Sequence, residues 1–426
     1  MLSRKKPGPT ARKRLVFMAS CRVNNCKLKS QFMNNKPKTT FATLLGLALF
    51  VALFFTYCTK KQVSPAAQDD AAAKPALKTQ ATGFVHPGIL NTKQTLDYVA
   101  QQANSNDANR LAAYQFVLNY CNNHSPSGAY KATVQVAGGV TTPDEIAFKG
   151  DALLSYALAL RWAKTGTAAY ATTVKQILDG WANSFQNFSV TGSQPNQASL
   201  EASWAAPTFA AAAEIIKYYI PASGVGGGWT TAENTQFVNF LNNMKDNYIN
   251  NVPNFNNNWN VSAGYAKMAI GIFEDSQTVY QNGVTAVKTV LPNVIASDGS
   301  MNGEICGSHN DYVHYQYSLT GLSYAANIAG IQGDLSIYSA SSSRLLTGFN
   351  YQYKLMHGTV SPPCSPNGNV NNPIWPGIEV ANRHYGTTET SYIASNYVCD
   401  SNGLPNGDIG FLCWTNYTHN NVPTTF

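Results

Sequence analysis

From Asp151 to Lys164 the chain reads Asp-Ala-Leu-Leu-Ser-Tyr-Ala-Leu-Ala-Leu-Arg-Trp-Ala-Lys, apolar on nearly every side. A helix with that pattern is buried between neighbours rather than laid on a surface. Gly166 supplies its stop, and residues 167–185 read as its partner, with Tyr170, Val174, Ile177, Leu178 and Trp181 at helical spacing. Further helices are predicted over 200–219, 231–248, 261–273, 276–290, 318–331 and 342–356, separated by clusters of Gly, Pro and Asn. Helices therefore come in pairs, with little alternating pattern before residue 360. Hairpins repeated in this way close into a toroid or stack into a solenoid, and the lack of a fixed-length repeat favours the toroid. Beyond residue 360, abundant Pro, Gly and Asn predict long loops with one or two short helices. The expected fold is all-α: an (α/α) toroid spanning residues 84–426, with long loops at its C-terminal end.

Ahead of that domain the pattern changes. The run Phe41-Ala-Thr-Leu-Leu-Gly-Leu-Ala-Leu-Phe-Val-Ala-Leu-Phe-Phe55 follows Lys36 and Lys38 and ends at Tyr57-Cys58. It has the form of a secretory signal, is short for a membrane span, and places Cys58 as a lipid-attachment residue, with Tyr57 standing where bacterial lipoprotein signals prefer a small residue. Uncleaved anchoring and simple secretion are the other outcomes. Residues 1–32 read as an extension ahead of a more conventional start at Met33. Residues 59–83 read as a flexible tether. The expectation is an exported protein, held in the periplasm or at the outer membrane of a bacterial envelope by its N-terminal lipid.

The formal charge of +7 conceals an asymmetry: residues 1–58 carry eleven Lys or Arg and no acid, leaving 18 basic against 22 acidic residues in the remainder. The body therefore carries no nucleic-acid footprint. Five cysteines follow Cys58, namely Cys121, Cys306, Cys364, Cys399 and Cys413. An odd number leaves one thiol, and the loop-rich setting of the last three predicts a bridge among Cys364, Cys399 and Cys413. No Cys/His cluster has familiar metal-ligand spacing and no glycine-rich phosphate loop precedes a helix, so neither a metal nor a cofactor is expected.

Chemistry concentrates between Gly303 and Leu319, where two histidines, three tyrosines and two carboxylates precede an apolar helix. Tyrosine and histidine move protons near neutral pH when a pocket tunes them; such clusters also line sugar-binding grooves without reacting. Asn258, Trp259 and Trp204 supply further amide and aromatic surface, the tryptophans serving as wall or core as readily as sugar platforms. His86, before Pro87, is read as structural.

Several segments in order resemble the alginate lyase superfamily of (α/α)-toroid polysaccharide lyases. They are Phe84-Val-His-Pro-Gly-Ile-Leu90, Asp151-Ala-Leu-Leu-Ser-Tyr-Ala-Leu-Ala-Leu160, Leu200-Glu-Ala-Ser-Trp-Ala-Ala-Pro207, Asn257-Asn-Trp-Asn260, His314-Tyr-Gln-Tyr-Ser-Leu319 and Glu379-Val-Ala-Asn-Arg-His-Tyr385. The resemblance implies cleavage of an acidic, uronate-containing polysaccharide by β-elimination. It makes Tyr317 the acid and base, Tyr315 the second choice, and His314 a neutralising or orienting group. Asn258 would contact the substrate carboxylate, with Trp259, Trp204 and His309 beside it. Arg383 would help neutralise, and His384 and Tyr385 would close over the sugar.

Two departures stand out. Trp259 occupies the place of a histidine in better-known lyases, and Asn310 and Asp311 occupy the region of an arginine. Two other readings therefore stay open: a glycoside hydrolase drawing two carboxylates from Glu201, Glu304, Asp311 and Glu379, and a glycan-binding lipoprotein without catalysis.

Overall fold

The computed structural model describes residues 83–371, 374–405 and 412–424. The signal segment, Cys58 and almost all of the tether lie outside the described residues.

The central helix is longer than its apolar core implies. Helix α3 spans Pro143–Thr165 because Thr142 caps it, accepting from the Glu145 N–H, and Pro143 sits in its first turn. Gly166, at φ 66°, ends it as expected. Two helices that the hydrophobic pattern does not announce precede it, α1 (Lys93–Asn104) and α2 (Ala108–Asn123). Equally unannounced is a two-stranded parallel pair, β1 (Thr133–Ala137) with β2 (Asn187–Thr191), in register Thr133 to Asn187. The other predicted helices appear as α4 (Ala168–Ser184), α5 (Gln197–Tyr218), α6 (Thr231–Asn247), α7 (Asn258–Phe273), α8 (Gln277–Val294) and α10 (His314–Ile331), with a one-turn α9 (Asn302–Ile305) ahead of the last. Helix α11 (Ser336–Met356) is interrupted at Ala340–Ser343, where three serines take positive φ, so its long part begins where the pattern places it. Three short helices follow: α12 (Gly377–Tyr385), α13 (Thr388–Ser395) and α14 (Thr415–Thr418).

Two concentric layers result. Helices α1, α3, α5, α7, α10 and α12 pack each against the next, while α4, α6, α8 and α11 lie behind them. The inner helices α5 and α10 are buried almost from end to end, which explains why their sequences are apolar all round. This is the (α/α) toroid. Where α7 meets its outer partner α8, a Cβ on Gly271 would lie 2.4 Å from the Tyr280 nitrogen, and one on Gly283 2.7 Å from the Gly264 oxygen, so only glycine allows this approach.

The ring is closed by α14, which packs against α1, α2 and α12. Arg110 of α2 fastens it by donating to the carbonyls of Tyr417, Asn416 and Asn420.

At the opposite limit of the domain, His86 fulfils its structural reading. Its Nδ1 meets Glu214 at 2.9 Å, its Nε2 meets Asp275 at 3.0 Å, and its ring stacks on Tyr218 at 4.0 Å. Burial works against the imidazolium, but Glu214 and then Asp275 outweigh it and raise its pKa above 6.5. A raised histidine contributes stability that is complete below the unfolded pKa and is lost as pH rises through the folded one. His86→Ala leaves the fully buried Glu214 without this partner and should cost roughly 3 kcal/mol at pH 6. Denaturant melts from pH 5.5 to 9 should show the gap between wild type and variant narrowing toward the alkaline end; a constant gap would exclude the ionic role.

Candidate active site

Two inner helices begin at one place. The N-terminal ends of α7 and α10, with Gln194 just ahead of α5, line a cavity of about 300 Å³. Helix starts present unpaired N–H groups and the positive end of the helix dipole, a setting that favours an anion. Asn257 caps α7, its side-chain oxygen accepting from the Trp259 N–H at 3.0 Å. Asp311 serves α10 in the same way, Oδ1 accepting from the N–H groups of Val313 at 2.8 Å and His314 at 3.0 Å.

Glu304 forms part of the lining and is itself almost wholly buried. It accepts from the Asn258 N–H at 2.6 Å, from Asn258 Nδ2 at 2.9 Å and from the Ser318 hydroxyl. Burial pushes its carboxyl up from the usual range, with Ser318 and Asn258 opposing. One side chain thus joins the starts of α7, α9 and α10.

His314 holds Nδ1 2.9 Å from both oxygens of Asp311, and the His309 ring stacks on His314 at 3.7 Å and 8°. Burial, and after it His314, push the His309 imidazole down, with Asp311 opposing. One turn along α10, Tyr317 stacks on Trp204 at 5.1 Å and 9°, with Trp375 at 4.2 Å and His314 at 5.7 Å. Trp204 is in turn held from behind: its Nε1 donates to Ser262 at 3.1 Å and Lys149 Nζ lies 5.2 Å from its ring. Lys149 pairs with Glu145 at 2.7 Å and Glu201 at 2.9 Å. Burial alone would lower its pKa, but Glu201 and Glu145 raise it.

The loop leading into α10 is anchored at both ends. Cys306 is bonded to Cys364, with Cα atoms 5.7 Å apart, and the backbone on either side of Asp311 pairs with Asn367, whose N–H donates to the Asn310 carbonyl at 2.7 Å and whose carbonyl accepts from the Tyr312 N–H at 3.1 Å. The pairing corrects the expected bridge among Cys364, Cys399 and Cys413: Cys364 bonds to Cys306 instead, and Cys121 and Cys399 are free thiols. Cys364 reaches back to the α9 end, a contact 58 residues distant that no local pattern reveals.

A family model described as alginate lyase matches residues 88–359. The chain belongs to the alginate lyase family. It is a polysaccharide lyase whose substrate is an acidic polysaccharide. No curated protein matches it in sequence. Among solved structures it is similar to an alginate lyase from Bacteroides ovatus, at 13% identity and TM-score 0.59, over 75% of this chain and 97% of that one. It is also similar to a tyrosine-to-phenylalanine variant of alginate lyase A1-III complexed with tetrasaccharide, at 16% identity and TM-score 0.54, over 72% and 93%. Alginate lyase A1-III from Sphingomonas species A1 gives 17% identity and TM-score 0.51, over 72% and 94%. At these identities the likeness shows the fold.

Within this lyase, Asn258, Trp259, His309 and His314 come together in the cavity lining, with Tyr317 beside His314. Other expected site residues do not join them. Tyr315, two positions from Tyr317, points to the other side of α10 and is wholly buried, which removes it as an alternative acid. Trp204 stands behind Tyr317 rather than in this lining. The Asn258 amide donates to Glu304. Arg383 donates to the carbonyls of Val422 and Pro423, His384 stacks on Tyr338 at 3.6 Å, and the Tyr385 hydroxyl donates to the Tyr338 carbonyl at 2.9 Å. All three sit at the C-terminal end of α12, among C-terminal residues and α11, and none is in the lining of this cavity.

The carboxylates for a hydrolase are equally scattered. Glu201 is bound to Lys149 and Gln197, and Glu379 accepts from Thr415 and Asn420 in the ring-closing region. Among the four, only Glu304 lines this cavity. Sequence reasoning misses Lys149, Asn257, Ser318 and Trp375. A Glu145/Lys149 pair at i,i+4 is a signal for the first; Trp375 lies in a loop whose position only the fold supplies.

Proposed function

We propose that the protein cleaves a uronate polymer of the alginate or glucuronan type by β-elimination, with Tyr317 as both base and acid. The observation supporting this reading is the position of Tyr317, stacked on Trp204, against Trp375 and 5.7 Å from His314, which itself lines a cavity formed from two helix starts. Elimination breaks C5–H and C4–O4 and forms a C4–C5 double bond. The C5 proton becomes acidic enough only when the neighbouring carboxylate is neutralised. Trp259 has no basic atom to accept that proton, so proton removal and delivery to O4 fall to one phenol working on one face of the sugar. His314, held by Asp311, lies where it can orient Tyr317 and take part in neutralisation. Purified enzyme incubated with alginate, glucuronan, pectate and glycosaminoglycans should generate ultraviolet-absorbing unsaturated uronates from the first or second. New reducing ends without that absorbance would instead establish hydrolysis.

We further propose that the catalytic domain is exported and anchored through lipid on Cys58, resting on the apolar run and the cysteine after it. Metabolic labelling with a fatty-acid analogue should mark wild type and spare Cys58→Ser; equal labelling would remove the assignment.

A further inference from the structure

A lyase of this kind needs the substrate carboxylate neutralised by hydrogen-bond donors or by positive charge, and among the described residues the lining of this cavity contains no lysine or arginine and does contain Glu304. The region where the family resemblance expects an arginine holds Asn310 and Asp311, and Arg383 is spent on backbone carbonyls. What the cavity rim offers is a different donor set. One ligand atom each from His309, Asp311 and His314 lie within 4.8 Å of one another.

We propose that His309, Asp311 and His314 form a divalent-cation site of the zinc type, whose open position takes the C5 carboxylate of the substrate. The second clause rests on the lyase reading above; the first does not. Two imidazoles and a carboxylate suit zinc and its late first-row neighbours, and three protein ligands leave a fourth position open. Zinc at about 2.0–2.2 Å from each donor separates tetrahedral ligands by about 3.3 Å. His314 Nδ1 and the Asp311 oxygens already stand 2.9 Å apart, so a cation fits between them with a small opening of the pair. His309 is exposed, so its ring can leave its stack on His314 and turn a nitrogen toward the third side.

The loop that carries these residues is anchored on both sides. The Cys306–Cys364 bond, the Asp311–Asn367 bridge and the Asp311 hydrogen bonds to the start of α10 tie the loop down on either side of His309 before any ligand arrives. The two histidines and the aspartate are separated by one and two residues, a spacing that matches no familiar sequence motif, which is why only the folded loop shows the cluster. A cation here would lie beside Tyr317, one turn along the same helix, and would supply the charge that the missing arginine does not.

The test uses tag-free full-length protein stripped with chelator and dialysed into phosphate-free buffer. Titration calorimetry with Zn²⁺ should give one site per chain, and Co²⁺ should give visible absorption of a nitrogen- and oxygen-ligated ion. His309→Ala, at an exposed position that leaves the loop anchors intact, should weaken Zn²⁺ binding at least 100-fold, and Asp311→Asn by a similar factor; His357→Ala, at an exposed histidine elsewhere, should change nothing. No binding, or binding that His309→Ala leaves unchanged, overturns the site. If Zn²⁺ binds at these residues and the stripped enzyme still eliminates a polyuronate at the full rate, the carboxylate role is overturned while the site stands. If Zn²⁺ binds as predicted and no polymer yields unsaturated product with metal present, the lyase reading fails instead.

Discussion

Tyr317→Phe should reduce kcat on the polyuronate substrate by at least about 1,000-fold, near the upper range for a single proton-transferring group, because one hydroxyl serves both halves of the elimination. The fold should be indifferent to the change. The phenyl ring keeps its stack on Trp204 and its contact with Trp375, and only the hydroxyl is lost. Melting within about 1 kcal/mol of wild type, together with unchanged binding of unreacted oligosaccharide, would assign the loss to chemistry. Tyr315→Phe provides the contrast. That side chain is buried on the opposite side of α10, so its hydroxyl reaches no sugar and kcat should stay within a few-fold. A Tyr317→Phe enzyme with more than a tenth of wild-type turnover would transfer the proton work to another group.

Lys149→Met should be the most destabilising of the changes considered. Lys149 is the cation between Glu145 and Glu201, all three being buried, and Glu201 is pushed up by burial with Lys149 opposing. Removing one member of a buried ionic group strands the others and costs about 3–5 kcal/mol. Adding Glu201→Gln to the same chain removes one stranded carboxylate and should recover a good part of that loss, as a double-mutant cycle measured by chemical denaturation would show. No recovery would mean that the lysine acts through its packing alone. Catalysis should suffer as well, since Lys149 lies 5.2 Å from the Trp204 ring on which Tyr317 stacks.

How far the sequence can be read follows from which interactions are local. Helices α3, α5, α7 and α10 are legible because a long run that is apolar on all sides fits little except a helix enclosed by others, and Gly166 marks its stop by conformation alone. Helices α1 and α2 escape notice because their surfaces are mixed, and β1 and β2 because five residues of alternation are too few to stand out. At the site, Tyr317, His314 and His309 are legible as a crowd of proton-moving groups in one short run. The true setting of Arg383, His384 and Tyr385 is not, because their partners lie at Val422, Pro423 and Tyr338, on other elements of the fold. Asn258 is found by its motif, but its bond to Glu304, 46 positions on, belongs to the tertiary structure.

The closure of the ring by α14 sets the order in which the molecule can be completed. Arg110 is made early, whereas the carbonyls it clasps, on Asn416, Tyr417 and Asn420, leave the ribosome some three hundred positions later. Until then the sides of α1 and α12 that α14 covers remain uncovered, and segments with unmet apolar contacts are the ones prone to aggregation.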